Sequence, residues 1–212
     1  MKKRKNNCIL ITAISIAIII IFIILSQTKK MHRDAIQLNN GTMLPVPYKI
    51  KSFQLVDQND DPFTNSNLNG HWSIIFFGFT RCPMMCPTTL STLNKMYRML
   101  KKKGVENNLP KVIFISVDPE YDKPDVIKKY LQSFNSNFIG VTGTKAEIKN
   151  LTKQLGIAYI KEIKSGNPDY EIDHSGTLII INPSGKWEAL INPPHFNAEI
   201  IVKDFERIQK SI

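Results

Sequence analysis

The chain has 212 residues, with 28 lysines and arginines against 18 aspartates and glutamates, 42% hydrophobic residues and three cysteines. That length accommodates one globular domain or two small ones, and charged residues at 22% with aromatics at 9% exclude a disordered or low-complexity protein. Three cysteines are too few for a disulfide-dense secreted scaffold, and a net charge of +10 points to nucleic acid or an anionic membrane only if the charge is suitably placed.

In chain order, the charge comes first. Lys2, Lys3, Arg4 and Lys5 precede a stretch from Cys8 to Leu25 with ten isoleucines and no charge, and Asn6 to Thr28 is uncharged throughout. As helix, those 23 residues span roughly 34 Å, enough to cross a hydrocarbon core of about 30 Å. A cleaved signal peptide is the rival reading. The apolar run exceeds its usual core of about 7–15 residues, and no small-x-small cleavage pattern lies near Leu25, Ser26 and Gln27. The expected organisation is a basic cytoplasmic N-terminus over 1–7, a single transmembrane anchor over 8–28, a tether over 29–48 and a folded domain over 49–212.

Four basic residues before the span, against Lys29, Lys30 and Arg33 after it, predict an exported C-terminal domain. Without the first seven residues the charge falls to +6, and from Lys49 onward 21 basic residues face 17 acidic ones, or +4. The domain's lysines are scattered apart from Lys101 to Lys103 at a predicted helix end, where cations complement the helix dipole. No nucleic-acid partner is expected.

Within the domain, His71 to Phe79 is a continuous apolar run that predicts a buried strand. A helix follows Cys86, with Leu90, Leu93, Tyr97 and Leu100 on one face and Gly104 as its stop. Lys111 to Val117 predicts a second strand ending at Asp118-Pro119, and Val126, Ile127, Tyr130, Leu131 and Phe134 mark a helix from about Asp125. Thr144 and Glu147 predict a capping box for a helix carrying Ile148, Leu151 and Leu155 to a stop at Gly156. Thr177 to Ile181 and Lys186 to Ile191 predict a hairpin across Asn182 to Gly185, and a last helix runs from Asn197 to about Ile208. This order describes an α/β domain with a mixed central sheet in a thioredoxin-like arrangement.

The chemistry lies in Cys82-Pro83-Met84-Met85-Cys86-Pro87, a C-x-x-x-C between a buried strand and a helix start. Pro87 suits a first helical turn, which puts Cys86 at or near the helix N-terminus and Cys82 in the loop before it. Helix N-termini lower thiol pKa values and favour the thiolate needed for metal binding and disulfide exchange. A plain stabilising disulfide is the simpler alternative, but closing so short a loop restricts the unfolded chain little. Cys8 lies in the apolar segment and reads as a small hydrophobic residue.

Among four histidines, His32 falls in the tether, His71 begins a strand and His195 sits in a proline loop. His174 stands apart, in Tyr170-Glu171-Ile172-Asp173-His174-Ser175, the segment entering the hairpin. In a thioredoxin-like fold that segment is the loop facing the cysteines. Two soft thiolates and an imidazole suit Cu(I), imidazole also suits Cu(II), and zinc takes Cys₂His sets with an open position.

The motifs F-F-G-F-T-x-C-P-x-x-C-P (Phe76 to Pro87), S-V-D-P-x-x-D (Ser116 to Asp122) and Y-x-x-D-H-S (Tyr170 to Ser175) resemble the Sco/SenC family of copper-binding assembly factors for cytochrome c oxidase. The resemblance covers about Ser52 to Ile208. It implies one copper ion, Cu(I) or Cu(II), held by Cys82, Cys86 and His174, with Asp118 and Asp122 near the site. It also implies delivery to the dinuclear copper centre of oxidase subunit II, or reduction of that centre's cysteines. The implied location is a bacterial inner membrane with the domain in the periplasm, or the mitochondrial inner membrane facing the intermembrane space. Met84 departs from the family's usual acidic residue, either as a solvent-facing substitution or as an auxiliary thioether ligand. Asp173 is a candidate to orient the imidazole. The rival reading is a metal-free thiol-disulfide oxidoreductase, against which C-x-x-x-C in place of C-x-x-C weighs. A third, a peroxidase, needs one reactive thiol in its own pocket.

Overall fold

The structure, a computed structural model, describes residues 14–27, 36–104, 109–163, 170–193 and 197–211. Residues 14–27 form a helix whose apolar side chains project outward, with Ile18 61% and Phe22 73% exposed. Among the described residues no helix is long and apolar enough to cross a membrane. The helical stretch 14–27 rises only about 21 Å, so the expected span is not found, and the rest of the segment assigned to it lies outside the described residues.

The domain is built from ten strands. They are β1 (Gly41–Lys49), β2 (Gln54–Asp57), β3 (Pro62–Thr64), β4 (Ser73–Gly78), β5 (Lys111–Ser116), β6 (Ile139–Thr142), β7 (Tyr159–Ile163), β8 (Tyr170–His174), β9 (Leu178–Ile181) and β10 (Lys186–Ile191). Four helices accompany them: α1 (Met85–Lys102), α2 (Pro124–Gln132), α3 (Lys145–Gln154) and α4 (Ala198–Gln209). Eight strands form one mixed sheet in the order β1-β10-β9-β4-β5-β6-β2-β3, with β4, β5 and β6 parallel, while β7 and β8 make a separate antiparallel ribbon. This is the expected thioredoxin-like mixed sheet.

Strand periodicity divides the core. Ile74, Phe76, Val112, Phe114, Leu178 and Ile180 face one way and meet Leu90, Leu93 and Met96 of α1, Ile127 of α2 and Phe205 of α4. Ile75, Phe77, Ile113, Ile115, Ile179 and Ile181 face the other way and meet Ile148, Leu151 and Leu155 beside α3, with Phe53, Leu55 and Phe63 from the β2–β3 side. Because both faces of β4 are covered, all six of its residues are buried, which explains its unbroken apolar sequence.

Several expectations shift. The tether over 29–48 is too long, because Gly41–Lys49 is the edge strand β1 on β10. Pro45 and Pro47 are tolerated there because an edge strand has a side without partners, and the register breaks between Met43 and Tyr48. Thr144 caps α3 by accepting from the Glu147 amide at 3.2 Å, but the Glu147 carboxylate accepts from the Gln54 amide at 3.1 Å and so ties β2 to α3. Strand β6 has no apolar signature in the sequence because Gly140 dilutes it; a Cβ there would sit 2.2 Å from Ile127 Cγ2, so α2 packs too close for any side chain. The β9–β10 hairpin is as expected, its turn closed by Asn182 Oδ1 accepting from the Ser184 and Lys186 amides at 3.0 and 3.1 Å.

Candidate metal centre

The centre forms where the buried strand β4 runs out and α1 begins. Gly78 ends β4, and a Cβ on it would lie 2.7 Å from Cys86 Sγ, so the glycine makes room for that sulfur. The chain turns through Phe79 to Cys82, whose amide donates to the Phe79 carbonyl at 3.2 Å, and enters α1 at Met85. Cys86 is fully buried against the core and Cys82 is partly exposed. Both thiols are free.

His174 comes from the other side, as the last residue of β8 and not from a loop as expected. Its imidazole is 7% exposed and meets the edges of Phe76 and Phe79 at ring separations of 6.1 and 5.8 Å. Nε2 lies 3.4 Å from Cys86 Sγ, while Nδ1 lies 3.3 Å from the Ser175 carbonyl. The two sulfurs and one ring nitrogen all fall within 4.8 Å of one another, a set that could hold a metal ion. A cavity of about 450 Å³ opens onto Cys82 and His174, lined also by Phe79, Met85, Glu162, Ile172 and Asp173.

The two thiols are unequal, and not in the expected sense. Cys82, rather than Cys86, receives the helix amide: the Cys86 N–H donates to Cys82 Sγ at 3.4 Å. A hydrogen bond from the Cys86 thiol, then His174 and the amides of Cys86 and Met84, outweigh burial and pull Cys82 down to about 4. Donation to Cys82 and burial push the Cys86 thiol far above the ordinary range. The reduced pair is therefore a thiolate backed by a thiol, and a metal binding both sulfurs must displace the remaining proton.

Asp118 and Asp122 do not join the donor set. Asp122 is fully buried and accepts from the Thr80 amide at 3.0 Å and from the Thr80 and Ser116 hydroxyls at 2.5 Å each, which fixes the start of the cysteine loop to the end of β5. Burial pushes its carboxyl up, and those three bonds pull against the rise. Asp118 accepts from the Tyr170 hydroxyl at 2.7 and 2.6 Å and from Arg81 Nη2 at 3.2 Å. The Arg81 guanidinium lies between the rings of Tyr121 and Tyr170, 4.3 and 4.5 Å from their centroids. Burial is the largest single influence and works against this cation, but the hydrogen bond to Asp118 and the charges of Tyr170, Asp118 and Tyr121 together outweigh it and raise its pKa. Arg81 adjoins Cys82 in sequence and Tyr170 begins the strand that ends in His174, so this group joins the two halves of the centre.

Asp173 is exposed, on the strand face opposite His174, and does not orient the imidazole; the Ser175 carbonyl faces Nδ1 instead. Met84 is 74% exposed, and it is Met85 that lines the cavity. His71 lies at the far end of β4 beside Ser73 Oγ at 3.1 Å. Cys8, His32 and His195 lie outside the described residues. Gly78, Arg81 and Tyr170 carried no assigned role in the sequence, although all three fall in the motifs quoted above or beside the cysteines.

A thioredoxin-like sheet with two cysteines at a strand-to-helix turn and a histidine facing them defines a thiol-imidazole metal-site protein. The SCO1/SenC family profile matches residues 43–210, and the chain belongs to that family. An SCO2-like protein of Rickettsia prowazekii is 35% identical over 161 residues, 75% of this chain and 74% of the relative. Yeast Sco1 with copper bound superposes with a TM-score of 0.70 at 32% identity, covering 78% of this chain and 91% of that one. Arabidopsis thaliana ScoI with copper bound gives 0.70 at 28% identity, covering 76% and 98%.

Proposed function

We propose that the chain is a membrane-anchored copper chaperone that binds one copper ion through Cys82 Sγ, Cys86 Sγ and His174 Nε2 and serves metallation of the dinuclear copper centre in cytochrome c oxidase subunit II. The observation that carries the reading is the convergence of two sulfurs and one imidazole nitrogen within 4.8 Å, without a carboxylate among them. Soft sulfur donors favour a soft ion, and copper-bound relatives of the same fold support the choice. Three donors leave the ion open to an incoming thiolate, so transfer proceeds by ligand exchange. Anchoring rests on the basic residues 2–5 and the uncharged run from Asn6 to Thr28, which put the domain on the outer face of a bacterial inner membrane or its mitochondrial counterpart.

A second reading, a thiol-disulfide reductase for the same partner, draws on Cys82 lining the open cavity with Cys86 buried behind it. Cys82 would attack a partner disulfide, Cys86 would release the mixed disulfide, and the pair would end oxidised with the partner holding two thiols. His174→Ala separates the two. Copper competition on the reduced, detergent-solubilised chain is expected to show an affinity loss of at least ~100-fold, an imidazole being one of only three donors. Undiminished copper affinity with disulfide reduction retained would favour the reductase.

A further inference from the structure

The domain's net positive charge belongs to one pair of helices. Helix α1 and its cap carry Lys95, Arg98, Lys101, Lys102 and Lys103 with no acid, and α4 through Lys210 has three basic and three acidic residues. Together these helices hold eight basic against three acidic residues, whereas the rest of the chain from Lys49 onward holds 13 against 14. The whole surplus of the domain therefore belongs to this helix pair. Of its three acids, Asp204 is buried and accepts from the Asn39 and Asn40 amides at 2.8 and 2.9 Å, and Glu206 is paired with Lys103 at 2.6 Å. Lys95, Arg98 and Lys102 are exposed at spacings of three and four, one stripe of α1, and border a cleft of about 590 Å³ whose α4 side carries the third acid, Glu199, so three cations face one carboxylate there.

The same helix pair receives the chain from its apolar segment. Besides the Asp204 contacts, Arg207 Nη1 donates to the Gln37 carbonyl at 2.9 Å, so residues 37–40 are strapped along α4. Between the helix 14–27 and Ile36 lie residues 28–35, which at full stretch reach no more than roughly 30 Å. The cationic face is thus leashed to the one segment with the composition of a membrane anchor.

We propose that the α1–α4 face docks on the anionic headgroups of the bilayer that anchors the chain, an inference that rests on the anchored reading. Lipid charge attracts Lys and Arg near the surface and decays within a Debye length, so a short leash brings the stripe within range. Cys86 is nine residues before Lys95 on α1, about 14 Å along the axis, so docking leaves the metal centre uncovered. The membrane then sets the domain's orientation toward a membrane-embedded partner.

The test uses the full chain, one copy per nanodisc, in neutral phosphatidylcholine or with about 30% phosphatidylglycerol, and reads lysine acylation rates by peptide mass spectrometry. On anionic discs, Lys95, Lys102 and Lys203 are expected to label at least ~3-fold more slowly than on neutral discs, while Lys149 and Lys153 on α3, across the sheet, keep their rates. About 0.5 M salt, which shortens the screening length to about 4 Å, should restore the rates. In the Lys95→Glu, Arg98→Glu, Lys102→Glu variant, Lys203 should lose its protection. Equal rates on both discs with the chain co-eluting with the disc would overturn the docking and leave the anchor standing. Protection arising only on addition of an acidic soluble protein would also overturn it, and a chain that does not co-elute would overturn anchor and docking together.

Discussion

The two halves of the metal centre are built differently. The cysteines stand at the junction of β4 and α1, where every residue of the strand is buried and the loop is fastened to β5 through Asp122. His174 ends a two-stranded ribbon outside the main sheet, where Ile160 is 62% exposed. The sulfurs are thus placed by the core, whereas the imidazole depends on Ser175, two phenyl edges and the Tyr170–Asp118–Arg81 group. A metal site made this way keeps its thiol pair fixed while its third donor rests on a weaker support.

The largest effect expected on this contrast is at the core-held half. Cys86→Ser replaces a buried thiolate donor with a hydroxyl, and one-to-one copper binding should fall below detection in a competition titration. Next, Gly78→Ala pushes a methyl to within 2.7 Å of Cys86 Sγ with Phe114 at 2.9 Å on its other side, so it should cost both melting temperature and copper affinity. Retention of wild-type values in both measurements would mean that the core does not place the sulfur.

A smaller effect tests the ribbon. Tyr170→Phe deletes the hydroxyl that bonds both Asp118 oxygens but keeps the ring beside Arg81. Copper affinity should fall about 10-fold, as when outer partners of metal ligands are removed, with the fold intact by circular dichroism. An unchanged affinity would show that β8 holds His174 without the latch.

The thiol inequality predicts a Cys82 reactivity that does not follow pH near neutrality. Because Cys82 is pulled down to about 4, its thiolate is already complete above that range. Its alkylation in the reduced, metal-free protein should be nearly flat from about pH 6 to 8, where an ordinary thiol gains close to tenfold per unit. Cys86 should stay unmodified over the same interval. The smallest effect belongs to Met84, 74% exposed: Met84→Glu is expected to leave copper affinity unchanged.

The sequence exposed those parts whose cause is local. Continuous apolar runs marked β4, β5 and β9 because both faces of those strands are covered, and the spacing of Cys82 and Cys86 before a proline at a helix start is chemically distinctive. Strand β1 was hidden because pairing at an edge runs through the backbone and needs no apolar alternation, and its prolines read as a linker. The ribbon β7–β8 mixes Lys161 and Asp173 with apolar residues because its outer face meets water. Which sulfur takes the helix amide depended on how the loop folds back, and Arg81 meets Asp118 and Tyr170 across 37 and 89 positions, distances over which no sequence period carries information.

X-ray absorption with metal analysis on the reduced, Cu(I)-loaded chain tests whether the two halves share a three-donor copper site. One copper per chain with two sulfur and one nitrogen donors is expected, the nitrogen disappearing in His174→Ala. A zinc-loaded or metal-free protein that ignores added Cu(I), or a copper site built from sulfur alone, would contradict it.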